Sequence, residues 1–319
     1  MRINKGRMFL YQFIWTLIFF LTFPMLASAE QGAFKKTLHN GLMKYDYQWQ
    51  DRKGDVFNTS FQLFASDIKR GMTEFKKFDE HELNALMNQK IKNFIKFNSP
   101  SGIKVHYNEH TEQMSFTSGR QTKIDRFMKR LEGEQEKVNA AYFKKRYYNY
   151  NAKNNSIRPA HGKIAKRYVI AMRPVAKALL DEVRGRSSRE ITNHVLHFIQ
   201  SIPYDTLEDA RSSNGAGFQT PYGLIHGNKG DCDSKSVMFA AIMRNIYPYA
   251  RIVVIYVPGH ALVGFDYSKG KNDYALQIED TTFVLAEPVG PRMISLGQVT
   301  PRALSVMRQR KYSYEEIPY

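Results

Sequence analysis

From Leu42 to Phe64 the chain reads LMKYDYQWQDRKGDVFNTSFQLF, with apolar and polar residues alternating on both sides of Arg52-Lys53-Gly54-Asp55. A period of two interrupted by a Gly-containing turn predicts a β-hairpin. Leu83, Leu86, Met87, Ile91, Phe94 and Ile95 then recur at helical spacing, which predicts an amphipathic helix. IKVHYNEHTEQMSFTSG predicts a second, shorter hairpin, and a long charged helix is expected from Lys123 to about Tyr148. That helix runs into YYNYNAKNNSIRP, an Asn-rich, Pro-closed stretch with turn chemistry. The expected organisation is an α+β region over 30–155 and a second domain over 156–319.

The second half is patterned more sharply. Ser187-Ser188-Arg189-Glu190 is a capping box, a Ser at the N-cap with a Glu three residues on. Ile191, Val195, Phe198, Ile199 and Ile202 form one apolar helix face, and Pro203 ends it. A further helix is expected from Cys232 to about Ile246, stopped before Pro248, and its interior from Val237 to Met243 is apolar all round. Such a helix belongs in a core. RIVVIYV, HALVGFDY, YALQIE and FVLAEPV follow as four β-rich runs separated by turn residues. A buried helix followed by consecutive strands predicts an α+β fold, the helix packed on an antiparallel sheet.

The first residues change the picture. Arg2, Lys5 and Arg7 precede an uncharged apolar run from Phe9 to Leu26, and Ala27-Ser28-Ala29 carries small residues where a signal peptidase reads. Residues 1–29 are expected to be a signal peptide, and the protein to be exported, to a periplasm in a bacterial cell. If left uncleaved, the segment would be the protein's link to the membrane. The net charge of +17 includes Arg2, Lys5 and Arg7. In a cytoplasmic chain that excess would suggest nucleic acid. With an export signal the expectation is no nucleic acid, and anionic cell-envelope material is the partner that charge favours.

Export also gives weight to Cys232, the one cysteine of 319 residues. Oxidising compartments turn thiols into disulfides, and a lone thiol has no internal partner. It is either a small buried hydrophobe or a thiol kept for its reactivity. Gly230-Asp231 precedes it, so Asp231 is the expected N-cap and Cys232 the first helical residue. The helix start favours a thiolate by about 0.3–1 kcal/mol, while Asp231 and Asp233 repel one. A second group must therefore activate the sulfur. His260, which opens the strand HALVGFDY after Pro258-Gly259, is the histidine best placed to do so. Glu287, at the end of FVLAEPV and in phase with Phe283 and Leu285, is the expected orienting acid; Asp280 in the preceding turn competes for that role.

FIQSIPYD, GFQTPYGLIHGNKGDCDSKS, PGHALVGF and FVLAEPVGP together resemble the transglutaminase-like superfamily in its bacterial exported branch. The resemblance covers about residues 187–300. It implies a papain-like C-terminal domain with a Cys–His–acid triad in this chain order, carried by Cys232, His260 and Glu287, and no cofactor. The third motif departs from the family, which usually reads Asp-Pro-Thr where this chain has Glu-Pro-Val. The implied chemistry is acyl transfer through a thioester on Cys232, hydrolysis of a peptide or side-chain amide being the expected outcome and protein crosslinking an alternative. The Cys232 amide and a side chain from Gln219 or Tyr222 are the oxyanion-donor candidates. A non-catalytic envelope binding or assembly factor that keeps the fold is the rival from another class.

His194 and His197 stand i, i+3 on a helix, a spacing that metal sites use. They fall on its polar flank without a convincing third ligand, so surface histidines and no metal are expected. Tyr142, Phe143, Tyr147, Tyr148 and Tyr150 are expected to pack between domains.

Overall fold

Period-two segments at the start of the described chain form one antiparallel sheet: β1 (Gln31–His39), β2 (Leu42–Gln50) and β3 (Val56–Phe64), in that order. The computed structural model describes residues 31–117, 120–151, 156–209 and 217–319; the signal segment expected over 1–29 lies outside the described residues. In β2 the inward positions are Tyr45, Tyr47 and Trp49, all buried, while Lys44, Gln48 and Gln50 face out. The β2–β3 hairpin is the one the alternation predicts. Its turn closes on Asp51, whose Oδ1 accepts the N–H groups of Lys53 (2.7 Å) and Asp55 (3.0 Å).

α1 (Ala65–Glu74) leads into α2 (Glu80–Asn98), β4 (Lys104–Asn108), β5 (Gln113–Thr117) and α3 (Gln121–Arg146). These last four surround a small core of Ile91, Phe127 and Leu131. β6 (Tyr148–Asn151) and β7 (Ser156–Pro159) pair as a hairpin where the domain boundary was expected. The helices α4 (His161–Tyr168), α5 (Arg173–Glu182), α6 (Ser188–Ser201), α7 (Pro221–Gly227) and α8 (Cys232–Ile246) follow. Then come β8 (Ile252–Val257), β9 (His260–Asp266), β10 (Ala275–Ile278), β11 (Thr281–Ala286), α9 (Pro301–Arg308) and β12 (Ser313–Glu316). The second sheet is antiparallel with the order β10-β11-β9-β8-β12. The fold is α+β.

α8 is the centre of this arrangement. It packs on α4, α5 and α6 on one side and on β8 and β9 on the other. Val237 through Met243 are fully buried, which is why the helix has no polar stripe. The other face of the sheet is closed by α9, with Val253, Ile255, Leu262, Phe283 and Leu285 against Ala303 and Met307. The capping box at the start of α6 is formed in full, Ser187 and Glu190 each satisfying the other's backbone.

Two expectations are corrected by packing. The boundary near 155 does not separate two cores. Tyr45, Trp49 and Phe61 of the first sheet share one apolar cluster with Phe198, Phe239 and Phe265. The sheet has one apolar face that its own region does not cover, so α5 packs on β3 and α6 on β2. Residues 79–146, by contrast, carry a core of their own. His194 and His197 are not on the surface: they are 5 % and 6 % exposed. Trp49 and Phe57 stack against His194 with ring centroids 4.9 and 4.6 Å away, covering the flank of α6 that its own sequence marks as polar. The aromatics at 142–150 behave as expected in part, Tyr142, Phe143 and Tyr148 joining the shared cluster. No helix among the described residues is long and apolar enough to cross a membrane.

Gly71 of α1 marks the seam between the first sheet's region and the rest. A Cβ there would lie 2.3 Å from Tyr222 Cδ2 and 2.7 Å from the Tyr168 hydroxyl. Gly71→Ala is therefore expected to destabilise the protein by about 1–3 kcal/mol through overpacking, read as a lower urea midpoint with an unchanged slope.

Candidate active site

The Gly-Asp-Cys segment is positioned from both sides. On one side the first sheet grips α7 and the loop after it. Lys36 Nζ donates to His226 O (2.9 Å), Tyr45 Oη pairs with His226 Nδ1 (2.9 Å), and Tyr47 Oη donates to Ile225 O (3.2 Å). Gln31 and Asn228 exchange two amide hydrogen bonds. On the other side, Gly230 donates to Pro203 O (3.2 Å) and accepts from Asp205 N–H (3.2 Å). The IPYD stretch thus lies directly beside the loop that precedes Cys232, and Lys229 pairs with Asp205 at 2.9 Å.

Asp231 is the N-cap of α8, its Oδ1 accepting Ser234 N–H at 2.9 Å, and Cys232 is the first helical residue, both as expected. Burial and the neighbouring charge of Asp233 raise the Asp231 carboxyl to about 7. Lys235 is completely buried with its ammonium on Ile202 O, and burial lowers it to about 7. The sulfur is partly buried. It donates to Asp233 Oδ1 (3.4 Å), and the N–H of Ala261, the residue after His260, points at it. Burial, then Asp233 and Asp231, push the thiol far above its ordinary range. Burial and the two flanking carboxylates thus outweigh the helix start, which alone would favour a thiolate.

His260 opens β9 opposite Val257, after a Pro258-Gly259 turn in which Gly259 takes φ +71°. Its Nε2 lies 2.7 Å from Glu287 Oε1. Glu287 is 3 % exposed and fixed at every oxygen: Oε2 accepts Thr300 N–H (2.7 Å), Oε1 accepts the Thr300 hydroxyl (3.1 Å), and its carbonyl accepts Gln200 Nε2 (2.8 Å). Gln200 also bonds both the carbonyl and the N–H of Ile294, which clamps the 287–294 loop onto α6. Gly290 passes so close that a Cβ would lie 1.9 Å from Gln200 O. The alternation of β11 explains the placement. Phe283 and Leu285 face α9, and Glu287, two residues on, meets Thr300, the N-cap of α9.

Asp280 is not part of this group. It sits at the other end of β11, with its side chain 84 % exposed and paired with Arg251 at 2.8 Å. The antiparallel register, Ala286 opposite Val263 and Phe283 opposite Asp266, brings the 287 end to the His260 end. Tyr222 is directed elsewhere: its ring packs edge-to-face with Tyr168 at 5.2 Å and lines a cavity of about 400 Å³ with Asp67, Arg70 and Arg167. Gln219 stays beside the helix start, its N–H donating to Ser234 Oγ (2.7 Å), and its Oε1 is buried without a partner. Cys232 and His260 are thus joined through the Ala261 amide, while no hydrogen bond links Sγ to the imidazole. Nδ1 of His260 has no hydrogen-bond partner among the described residues.

Sequence reasoning missed Thr300, Gln200 and His161. Thr300-Pro301 is an N-cap followed by Pro at the first helical position, a legible helix start. Gln200 lay within the quoted FIQSIPYD. His161, fully buried with Nδ1 2.8 Å from the Tyr256 hydroxyl and Nε2 3.4 Å from Asp233 Oδ2, carries no local signal.

No protein-family model, no curated protein and no solved structure matches this chain.

The raised Asp231 carboxyl fixes a pH dependence. Its folded pKa of about 7 stands above the ordinary 3.8, so the folded state holds an extra proton between those values and loses stability as pH rises through them. Compared with Asp231→Asn, which keeps a cap acceptor, the wild type should be relatively most stable near pH 4 and should lose that advantage towards pH 8. Urea unfolding of both proteins across this range reads the difference; a constant gap would contradict the assignment.

Proposed function

We propose that this protein is an exported, periplasmic cysteine-dependent acyl-transfer enzyme of transglutaminase-like, papain-like architecture, hydrolysing a peptide or side-chain amide. The observation that carries the reading is the His260 Nε2–Glu287 Oε1 contact of 2.7 Å next to a lone thiol on a helix start. A buried carboxylate holding one imidazole nitrogen fixes the tautomer, leaving the other as a base. The Cys–His–acid order, the helix-borne sulfur and the strand-borne partners support the family assignment.

In the mechanism, His260 Nδ1 takes the proton of Cys232 as the sulfur attacks the amide carbonyl, so that the S–C bond forms in step with proton transfer. This suits a thiol that is not ionised at rest. The oxyanion is stabilised by the Cys232 N–H, one of the first-turn amides without an intrahelical acceptor, and by Gln219 at the same helix start. His260 then protonates the departing amine as the C–N bond breaks. A water, deprotonated by the same imidazole, hydrolyses the thioester. Glu287 holds the imidazolium through its hydrogen bond to Nε2. No cofactor enters. The basic surface of the chain suits an anionic envelope partner and does not call for nucleic acid.

One observation favours the rival reading of a binding or assembly factor: the thiol is pushed up, as an inert buried cysteine would be. Alkylation by iodoacetamide at pH 7 separates the two. The enzyme reading expects wild type to be labelled at Cys232 at least about 10-fold faster than His260→Ala, with Glu287→Ala in between, because general-base assistance is worth about 10²–10⁴ at full effect. Equal rates in all three proteins would overturn it. If crosslinking rather than hydrolysis is the outcome, added primary amines are incorporated into the acyl product.

A further inference from the structure

We propose that Asp233 is the specificity group of this site: it receives a cationic group, an ammonium or guanidinium, carried by the acyl donor beside the amide that Cys232 attacks. The proposal rests on the reading of Cys232 as the acyl acceptor.

The chain carries a net charge of +17, yet the surroundings of its thiol are acidic. Ligand-type atoms of Asp231, Cys232 and Asp233 all lie within 4.8 Å of one another. Asp231 is buried and committed to the cap, but the Asp233 side chain is 28 % exposed and within reach of a ligand at the sulfur. Acids elsewhere in the second half of the chain have cations on them, as Asp205 has Lys229, Asp273 has Arg189 and Asp280 has Arg251. Among the described residues neither Lys nor Arg pairs with Asp233. Lys235, buried two residues further along α8, is spent on Ile202 O.

The one basic side chain facing Asp233 cannot neutralise it. His161 Nε2 stands 3.4 Å from Asp233 Oδ2 and has no hydrogen-bond partner. Its state is set from behind. Tyr256 Oη donates to Glu315 Oε2 (3.1 Å), so the same oxygen must accept from His161 Nδ1 (2.8 Å). With the proton on Nδ1, Nε2 presents a lone pair to Asp233. Burial disfavours the second proton that would convert it to a donor by more than the charges of Asp233 and Glu315 favour it, and Arg158, stacked 3.9 Å over Tyr256, adds to the effect of burial. Two acceptors therefore face each other, one of them charged, at the edge of the nucleophile. A charge left unpaired in this way is costly, and a positively charged ligand removes the cost. The same ligand removes part of the repulsion that keeps the sulfur protonated, so binding and activation of Cys232 are coupled.

The test uses three N-acetylated amino-acid chloromethyl ketones carrying Lys, norleucine or Glu side chains. Each alkylates the sulfur with loss of chloride, and adduct formation on the full chain is followed by intact mass. Wild type is expected to react with the Lys probe at least about 10-fold faster than with norleucine, a factor one attractive charge pair supplies, and slowest with Glu. Asp233→Asn, whose amide can donate to His161 Nε2, should bring Lys and norleucine to within about two-fold, and Asp233→Lys should favour Glu. Equal rates for Lys and norleucine in wild type, or a Lys preference that survives Asp233→Asn, would overturn the proposal. Norleucine labelling in His260→Ala reads the underlying enzyme reading separately, since that comparison involves no probe charge. Melting curves of each variant show whether it is folded.

Discussion

Glu287 is a carboxylate taken almost wholly out of water, and the geometry of the site depends on what it holds. Desolvating an ionised carboxylate costs several kcal/mol unless hydrogen bonds replace the lost water. Here the replacements are the His260 ring, the Thr300 amide and the Thr300 hydroxyl. They come from two distant parts of the chain: the start of β9, and the cap of α9 reached through a loop that Gln200 clamps to α6. The interaction is therefore as precise as the packing of three elements allows. The Glu side chain reaches this position because α9 and its cap stand over the strand end and grip both oxygens.

The sulfur is governed by an opposing set of forces. The helix start and the Ala261 amide favour a thiolate; burial, Asp231 and Asp233 disfavour one, and these prevail. A protonated sulfur is slower to oxidise than a thiolate, so this balance protects the single thiol. In the proposed mechanism, reactivity is released where the His260 base and a compensating charge act together. The first sheet supports this arrangement from a distance. Its contacts to residues 225–228 hold the loop before the nucleophile, which accounts for its sharing a core with the region that carries the site.

What could be read in advance was whatever has a local cause. The Ser187 capping box, the apolar α8 with its Asp231 cap, the hairpin around Gly54 and the four strands after α8 are each written in a short window, and each is found. Glu287 and Asp280 flank the same strand, and alternation alone left both open. The β9–β11 register, a non-local pairing, settles which acid meets His260. His194 looks solvent-facing until Trp49 and Phe57 are laid over it. β12 completes a sheet edge from the chain's far end, and His161 reaches Asp233 from a helix that no periodicity announced. The first sheet's place in the main core was hidden for the same reason: an uncovered apolar face says that a partner exists, not which helices supply it.

The central claim is that Glu287 fixes His260 with its proton on Nε2 and leaves Nδ1 as the base. Side-chain ¹⁵N NMR of the histidines, with His260 assigned by substitution, reads this directly at neutral pH. The account predicts a protonated Nε2 and a bare Nδ1, an arrangement that is lost in Glu287→Ala. A proton on Nδ1 with Nε2 bare, or a ring indifferent to the loss of Glu287, would contradict it.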